Sequence, residues 1–341
     1  MRTNAGAGGA VRLRIYCETL PYEVIARPRT IALLRRYALE IVLAVRPWQL
    51  GDLPSLARVL AEAGVALSVW PMLADAEGRW ASTTNSARFA TLVRQTVDAL
   101  AAEGLAPREV LFDLEPPFAH AQAFAGARRG ESLRRLRAAL PRAATAQAMD
   151  AASRELSMVV TDLRARGVAT AAAVWPLVAL DPPGARGWQA LLGTPVDGVG
   201  AERVSLMMYT SILEGWSRGA LRRRDVTSLL AAASELAARR WGEASGVSLG
   251  CVGVGALAHE PVYRQPVELA EDASIARASG CRDLSLFDLG GVLAREPAEA
   301  WLDAFAYGVG AARPRSSARV AAARRLARVA TWALARRTTS R

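Results

Sequence analysis

The sequence predicts an α/β protein of the (β/α)8 TIM-barrel class with a basic helical C-terminal tail. Eight short apolar runs alternate with longer helical patterns along most of the 341 residues, and several helical patterns end in a glycine just before the next run. A doubly wound open sheet is the alternative, but no GxGxxG pattern follows the first predicted strand. We therefore assign a barrel domain to residues 10–310 and an arginine-rich amphipathic tail to residues 311–341.

The predicted strands are short runs rich in apolar and β-branched residues. They span Arg12–Glu18, Leu39–Val45, Ala66–Trp70, Val110–Glu115, Val168–Trp175, Arg203–Tyr209, Ser248–Val254 and Asp283–Asp288. The segments between them, such as "SARFATLVRQTVDALAAEG" and "TSLLAAASELAARRWG", carry the apolar spacing of helices. The segment Pro116–Arg142 is too long for an ordinary connection, so we expect it to overhang the carboxyl ends of the strands, where active sites of this fold lie.

Charge is concentrated in the tail. The chain has a net charge of +11, and residues 311–341 hold nine arginines and no acidic residue. The nearly neutral remainder does not suit a nucleic-acid-binding surface, and no nucleic-acid partner is expected. Residues 318–335 are typical of a basic amphipathic helix, with apolar positions at Val320, Leu326, Val329 and Trp332. This helix is expected to contact an anionic membrane surface or a partner protein, or else to pack on the barrel or extend into solvent.

The composition excludes several kinds of chemistry. The sequence contains no lysine, which rules out Schiff-base, pyridoxal-phosphate and Walker-type phosphate chemistry. Cys17, Cys251 and Cys281 show no CxxC spacing, which argues against a disulfide framework or a zinc site and fits a reducing compartment. No signal-peptide pattern or membrane-spanning apolar run occurs, so we expect a cytoplasmic protein. His120 and His259 stand alone, and we expect no cofactor and no metal, with a carboxylate-only Mg²⁺ site as the alternative.

Two carboxylates end the fourth predicted strand, in "EVLFDLEPP" (residues 109–117). Because side chains alternate along a strand, Asp113 and Glu115 point to the same side, and two neighbouring carboxylates raise each other's pKa. We therefore predict that Glu115 stays protonated as a general acid. The alternative is that Asp113 pairs with an arginine and that Glu115 caps the next element at the rim.

Aromatic and acidic residues stand at the ends of other predicted strands. Indole rings clustered at one rim suit stacking on sugar rings, so the predicted ligand is a glycan or a related small molecule. The predicted substrate-binding residues are Glu18, Trp48, Trp70, Trp175, Trp216 and Asp288, with Tyr209 at the end of the sixth strand.

Two short patterns invite further interpretation. "LFDLE" (Leu111–Glu115) and "LFDLG" (Leu286–Gly290) suggest an internal repeat in which Asp113 corresponds to Asp288. Glycines in Gly250–Leu257 and Asp288–Leu293 follow the seventh and eighth strands, where barrels often bind phosphate, although they suit tight turns equally well.

The motifs resemble those of the family 18 glycoside hydrolases, the chitinases and endo-β-N-acetylglucosaminidases. "LFDLEP" is similar to the end of their DxxDxDxE motif, and "LMMYTS" is similar to their M-x-Y-D motif. The resemblance implies a (β/α)8 barrel in which Glu115 protonates the glycosidic oxygen, Asp113 orients the substrate's N-acetyl group and Tyr209 hydrogen-bonds the acetamide oxygen.

The chain departs from that family pattern at several positions. The two earlier motif aspartates fall on Arg108 and Leu111, the final aspartate of the strand-six motif falls on Thr210, and the strand-eight tryptophan is replaced around Phe287-Asp288. A second resemblance, to the family 25 lysozymes, rests on the same DxE of strand four, and Glu18 or Asp288 could match their other acids.

The seventh predicted strand contains no acidic residue, and the first acidic residue after it is Glu260. This absence bears on the mechanism. Retaining glycosidases that use two carboxylates need a protein nucleophile, whereas a substrate-assisted mechanism does not. The sequence therefore favours substrate-assisted general acid/base hydrolysis of glycans that contain N-acetylhexosamine. The alternatives are a non-catalytic carbohydrate-binding barrel and a barrel enzyme acting on a phosphorylated small molecule.

Overall fold

In the computed structural model, eight parallel strands form a closed barrel in the order β1 to β8, which confirms the predicted fold class. The structure describes residues 11–119, 122, 143–255, 259–309 and 317–339. Pairing of β8 with β1 closes the sheet. The strands are β1 (Arg12–Cys17), β2 (Glu40–Val45), β3 (Leu67–Pro71), β4 (Glu109–Leu114), β5 (Ala169–Val174), β6 (Arg203–Met208), β7 (Ser245–Gly250) and β8 (Asp283–Phe287).

Helices surround the sheet and bury their apolar faces against it. Those between β1 and β6 are Tyr22–Ile25, Pro28–Arg36, Leu53–Glu62, Ser86–Ala101, Ala146–Ala165, Gly187–Leu192 and Val196–Val199. Those after β6 are Thr210–Trp216, Arg223–Trp241, Pro266–Ala278, Leu289–Ala294, Ala298–Tyr307 and the C-terminal helix Ala318–Thr339. The expected glycine stops are present: Gly64 and Gly280 take φ values of +69° and +94° just before β3 and β8, a conformation that only glycine adopts at little cost.

Strand β7 lies about half a strand earlier than the predicted Ser248–Val254. Ser245 and Gly246 have low strand propensity, but a side chain at Gly246 would meet the Asp283 carbonyl oxygen at 3.1 Å, so the close strand packing favours glycine there. The apolar residues Cys251 and Val252 are buried beyond the strand end instead of within it. The predicted boundary of β7 was misplaced because the connection after this strand is buried and therefore apolar like a strand.

The long connection after β4 is described only at its start. Residues 116–119 and 122 belong to the described part of the chain. The rest of Pro116–Arg142, including His120 and the predicted basic helical pattern, lies outside the described residues. The predicted overhang therefore stays a prediction.

An ion-pair network fills the amino end of the barrel. It includes Arg12, Arg14, Glu40, Glu109 and Asp283, and Arg108 and Arg203 pair with its carboxylates from the outside. Arg14 is fully buried, with Nη1 at 2.7 Å from Glu109 Oε1 and Nη2 at 2.6 Å from Asp283 Oδ1. Buried charged groups are tolerated only when they are paired in this way. We therefore infer that the network at this end of the barrel serves the stability of the folded protein.

The C-terminal helix packs against the outer layer of the barrel. It contacts the helices Gly187–Leu192 and Arg223–Trp241, and Val320 is buried in this contact layer. Trp188 Nε1 donates to Thr331 Oγ1 over 2.8 Å. Of the predicted apolar positions, Leu326, Val329 and Trp332 are exposed. Among the described residues, no helix combines the length and apolarity needed to cross a membrane.

Candidate active site

A large cavity opens where the carboxyl ends of the strands meet. Its volume is ≈ 1280 Å³, above the range of about 300–1,000 Å³ that is usual for small-molecule pockets. The predicted residues that line it are Glu18, Trp70, Asp113, Glu115, Trp175, Tyr209 and Trp216. This is the face on which barrels of this class carry active sites.

Asp113 and Glu115 point into the barrel mouth as their alternation predicts. Asp113 is the deeper of the two and is 1% exposed, and its Oδ2 accepts a hydrogen bond from Trp70 Nε1 over 3.1 Å. Glu115 Oε2 accepts from Trp175 Nε1 over 2.6 Å. Neither carboxylate pairs with an arginine in the described part of the chain, where the side-chain partner of Asp113 is Trp70 instead.

The two carboxyl groups lie close enough for the charge of one to act on the other, since the charge of Glu115 raises the pKa of Asp113. Two neighbouring carboxyl groups repel each other when both are ionised, which favours a proton on one of them. Asp113 Oδ1 has no hydrogen-bond partner among the described residues. The buried pair therefore favours retention of a proton.

Burial raises the pKa of both groups. It raises the pKa of Glu115 to about 7, against the opposing effect of the hydrogen bond from Trp175. Burial, followed by the charge of Glu115, raises the pKa of Asp113 well above its usual range. A carboxylic acid that keeps its proton near neutral pH at an open mouth can act as a general acid.

Glu18 joins this acidic group from the end of β1. Its side chain is 3% exposed, and its Oε1 lies 3.5 Å from Nη2 of Arg79 and accepts no hydrogen bond within the described residues. Burial raises the pKa of Glu18 to about 7, against the opposing charges of Arg79 and Arg46. Glu18 therefore adds a third titrating carboxyl to the cavity.

Tyr209 faces the cavity from the end of β6. Its ring packs against Phe287 at 5.6 Å between centroids, and its hydroxyl makes no hydrogen bond with the described residues. Phe287 also contacts Tyr16, at 6.0 Å, so aromatic rings form the floor beneath the acids. Thr210, where the resembled motif has its final aspartate, is buried away from the mouth and donates to the Asp272 carboxylate.

The predicted tryptophans do not all reach the cavity. Trp70, Trp175 and Trp216 line it, whereas Trp48 is 68% exposed and does not. The guanidinium of Arg46 lies over the Trp48 ring at 5.7 Å from its centroid. Trp48 is therefore not one of the predicted residues that line the cavity.

Asp288 also lies away from the cavity. It caps the helix Leu289–Ala294, and its Oδ1 accepts from the Gly291 backbone N–H over 2.9 Å. In β4 the first residue of "LFDL", Leu111, faces the barrel interior, whereas in β8 the second residue, Phe287, does so. The two segments therefore turn alternate residues inward. The proposed correspondence between Asp113 and Asp288 is therefore wrong in the structure, since their side chains point to opposite sides of the sheet.

Two of the described glycines after β7 and β8 already donate their N–H groups to carboxylates. The Gly255 N–H donates to Glu260 Oε2 over 2.7 Å, and the Asp288 carboxylate holds the N–H of Gly291. The carboxylate at each of these two N–H groups would repel a phosphate there. This geometry argues against the phosphate interpretation.

Several lining residues were missed in the sequence, among them Glu260 and Trp80. Glu260 reaches the cavity from the connection after β7, and Trp80 reaches it from the connection after β3, where it packs edge-on against Phe118 at 5.2 Å. Strand alternation says nothing about residues so far beyond a strand end. In the described part of the chain, no group of three or more histidine, cysteine, aspartate or glutamate residues could hold a metal ion.

No family model matches the sequence, and no curated protein matches it. Among solved structures, the glycoside hydrolase domain of PgaB (BpsB) from Bordetella bronchiseptica is similar over 88% of this chain and 100% of its own, with a TM-score of 0.50 and 15% identity. GH5_18 from Bifidobacterium longum subsp. longum ATCC 55813 is similar over 82% of this chain and 70% of its own, with a TM-score of 0.49 and 12% identity. An L-ribulose 3-epimerase is similar over 96% of this chain and 97% of its own, with a TM-score of 0.47 and 17% identity. At these identities the similarity concerns the fold alone.

Proposed function

We propose that this protein is a glycoside hydrolase that cleaves glycans containing N-acetylhexosamine by substrate-assisted general acid/base catalysis. The observation that carries the proposal is the position of Asp113 and Glu115, two buried carboxyls at the mouth of a cavity, which accept the indole N–H groups of Trp70 and Trp175. A binding protein needs the tryptophans but has no need of an acid that stays protonated near neutral pH. The raised pKa of Glu115 therefore favours catalysis over the alternative of a non-catalytic carbohydrate-binding barrel.

In the proposed first step, Glu115 transfers its proton to the glycosidic oxygen as the bond to the anomeric carbon breaks. The acetamide oxygen of the same sugar attacks that carbon and forms a cyclic oxazolinium ion. Asp113, in its ionised form, accepts a hydrogen bond from the acetamide N–H and stabilises the positive charge. The Tyr209 hydroxyl donates to the acetamide oxygen and holds it in line for attack.

In the proposed second step, the ionised Glu115 accepts a proton from a water molecule, which attacks the anomeric carbon and reopens the ring. The carboxyl of Glu115 is thereby protonated again, and the anomeric configuration is retained. Stacking of the sugar on Trp175 would place the glycosidic oxygen beside the carboxyl that this indole orients.

Glu260 supports a second mechanism for the same reaction class. Retaining glycosidases with two carboxylates use one as the acid and the other as a nucleophile, and Glu260 lines the cavity with Glu115 from the connection after β7. In that mechanism the acetamide group of the substrate is dispensable.

Two oligosaccharides distinguish these proposals. Wild-type protein is incubated with β-1,4-linked N-acetylglucosamine oligomers and with fully deacetylated oligomers of the same length. Cleavage of the acetylated oligomers alone supports substrate assistance, and cleavage of both supports Glu260 as nucleophile. Glu115→Gln serves as the control and should cleave neither. Wild-type binding without cleavage would contradict both mechanisms and favour a carbohydrate-binding barrel.

A further inference from the structure

The C-terminal helix lines the same cavity as the acidic residues. Its lining residues include Ala321, Arg324, Arg325 and Arg328. These positions follow the spacing i, i+3, i+4 and i+7, which places them on one face of a helix. The tail thus presents a continuous basic face to the cavity.

The three tail arginines have no acidic partner in the described part of the chain, and their side chains are exposed. Arg324 and Arg328 are four residues apart on the helix, a spacing at which like charges repel. Arg240, on the facing helix Arg223–Trp241, differs because the Asp197 carboxylate pairs with it at 2.8 Å. The unpaired positive charge therefore belongs to the tail helix.

The end of the cavity away from the tail helix is lined by acidic residues. Glu18, Asp113 and Glu115 lie at the strand ends, where an anionic group would be repelled. A long ligand with a neutral sugar at the acids and a negative group beside the tail would match both ends. The guanidinium groups of arginine suit carboxylate, sulfate and phosphate oxygens because they offer paired donors.

The tail helix is held in place beside the cavity. Ser317 Oγ donates to Asp225 Oδ1 over 2.5 Å, Arg319 Nη1 donates to the Ala220 carbonyl over 2.8 Å, and Trp188 donates to Thr331. These contacts leave the face with Arg324, Arg325 and Arg328 directed at the cavity. The helix is therefore a wall of the cavity in this structure.

We propose that Arg324, Arg325 and Arg328 form a binding subsite for the negatively charged groups of an acidic glycan, whose neutral N-acetylhexosamine lies at Glu115. This inference rests on the proposed function for the placement of the neutral sugar, and it names the substrate class. An acidic glycan is favoured over an anionic membrane because the three arginines line the cavity that holds the acids.

The test measures binding, so that it does not depend on turnover. Glu115→Gln protein is titrated by calorimetry with a hyaluronan oligosaccharide, in which N-acetylglucosamine alternates with a uronic acid, and with a neutral N-acetylglucosamine oligomer of the same length. We expect tighter binding of hyaluronan, with an affinity that falls as salt is added. Adding Arg324→Gln, Arg325→Gln and Arg328→Gln should weaken hyaluronan binding roughly tenfold to hundredfold and leave the neutral oligomer unaffected.

A matched control removes three arginines that do not line the cavity, by Arg27→Gln, Arg58→Gln and Arg154→Gln. This variant has the same net charge and should bind hyaluronan like the parent. Equal loss in both triple variants would overturn the proposal, because it would reduce the effect to net charge. Equal affinity for the two oligosaccharides would overturn it as well.

Binding to lipid vesicles tests the competing explanation, a contact between the tail helix and a membrane. Sedimentation with phosphatidylglycerol vesicles and with phosphatidylcholine vesicles tests whether the arginines bind lipid headgroups. Arginine-dependent binding to the anionic vesicles without a preference for hyaluronan would overturn the proposal in favour of a membrane contact. Failure of the proposed function looks different, since hyaluronan would then bind at the arginines while no glycan is cleaved by wild-type protein.

Discussion

Trp175 donates its indole N–H to Oε2 of Glu115 over 2.6 Å, and this bond stabilises the ionised form of the carboxyl. Without it, burial would hold the proton on Glu115 to still higher pH. The residue that we expect to stack on the sugar therefore also sets the pH at which the acid loses its proton.

Trp175→Phe should move the basic limb of the pH profile upward. The limb reports ionisation of Glu115, whose pKa is raised to about 7 by burial, and loss of the indole donor raises it further. The measurement is kcat/KM against pH with an N-acetylglucosamine oligomer. A limb that stays in place while KM rises would show that Trp175 only binds the sugar.

Glu18→Gln should move the same limb downward. The charge of Glu18 raises the pKa of Glu115, so its removal makes Glu115 easier to ionise. The opposite directions expected for Trp175→Phe and Glu18→Gln guard against a general loss of packing as the cause. A limb unmoved by Glu18→Gln would contradict the electrostatic coupling of these two carboxyls.

Glu18 should also make stability depend on pH. Its pKa is about 7 in the folded protein, above the ordinary value of 4.5, so the folded state retains a proton that the unfolded chain releases between these values. The free energy of unfolding of the wild type, compared with that of Glu18→Gln, should therefore fall as the pH rises through this window, by on the order of 3 kcal/mol in total. Urea denaturation of both proteins across the window measures it, and a constant difference would contradict the shifted pKa.

The ion-pair network at the amino end of the barrel should be costly to break. Arg14→Met leaves the buried carboxylates of Glu109 and Asp283 short of a partner, which typically costs about 3–5 kcal/mol of the free energy of unfolding. Arg58→Met is the control, because the Arg58–Glu103 pair is exposed and such pairs contribute about 0–1 kcal/mol. Similar urea midpoints for both variants would contradict a stabilising role for the network.

The sequence was informative where regular alternation decides side-chain direction. The alternation of strands and helices predicted the barrel, and the period of two along β4 placed Asp113 and Glu115 on its inner side. The shared sequence "LFDL" of the two segments did not guarantee the same side-chain directions. The strand pairing of β8 turns Phe287 inward, so Asp288 faces away from the cavity and caps a helix.

Connections were less predictable because no period governs them. Glu260 and Trp80 reach the cavity through loops, whereas Trp48, three residues after the end of β2, is exposed. The course of each loop depends on tertiary contacts, such as the hydrogen bond between Gly255 and Glu260, that the local sequence does not encode. The position of the tail arginines beside the cavity likewise depends on how the C-terminal helix packs.

The central claim is that Glu115 supplies the proton to the leaving group, and the dependence on leaving group tests it most directly. We would measure kcat/KM of the wild type and of Glu115→Gln with an N-acetylglucosamine oligomer and with the dinitrophenyl glycoside of N-acetylglucosamine, whose leaving group needs no proton. We expect Glu115→Gln to lose about 10²–10⁴-fold on the oligomer and far less on the dinitrophenyl glycoside. Equal losses on both substrates, or an oligomer cleaved as fast as by the wild type, would contradict the assignment of Glu115 as the general acid.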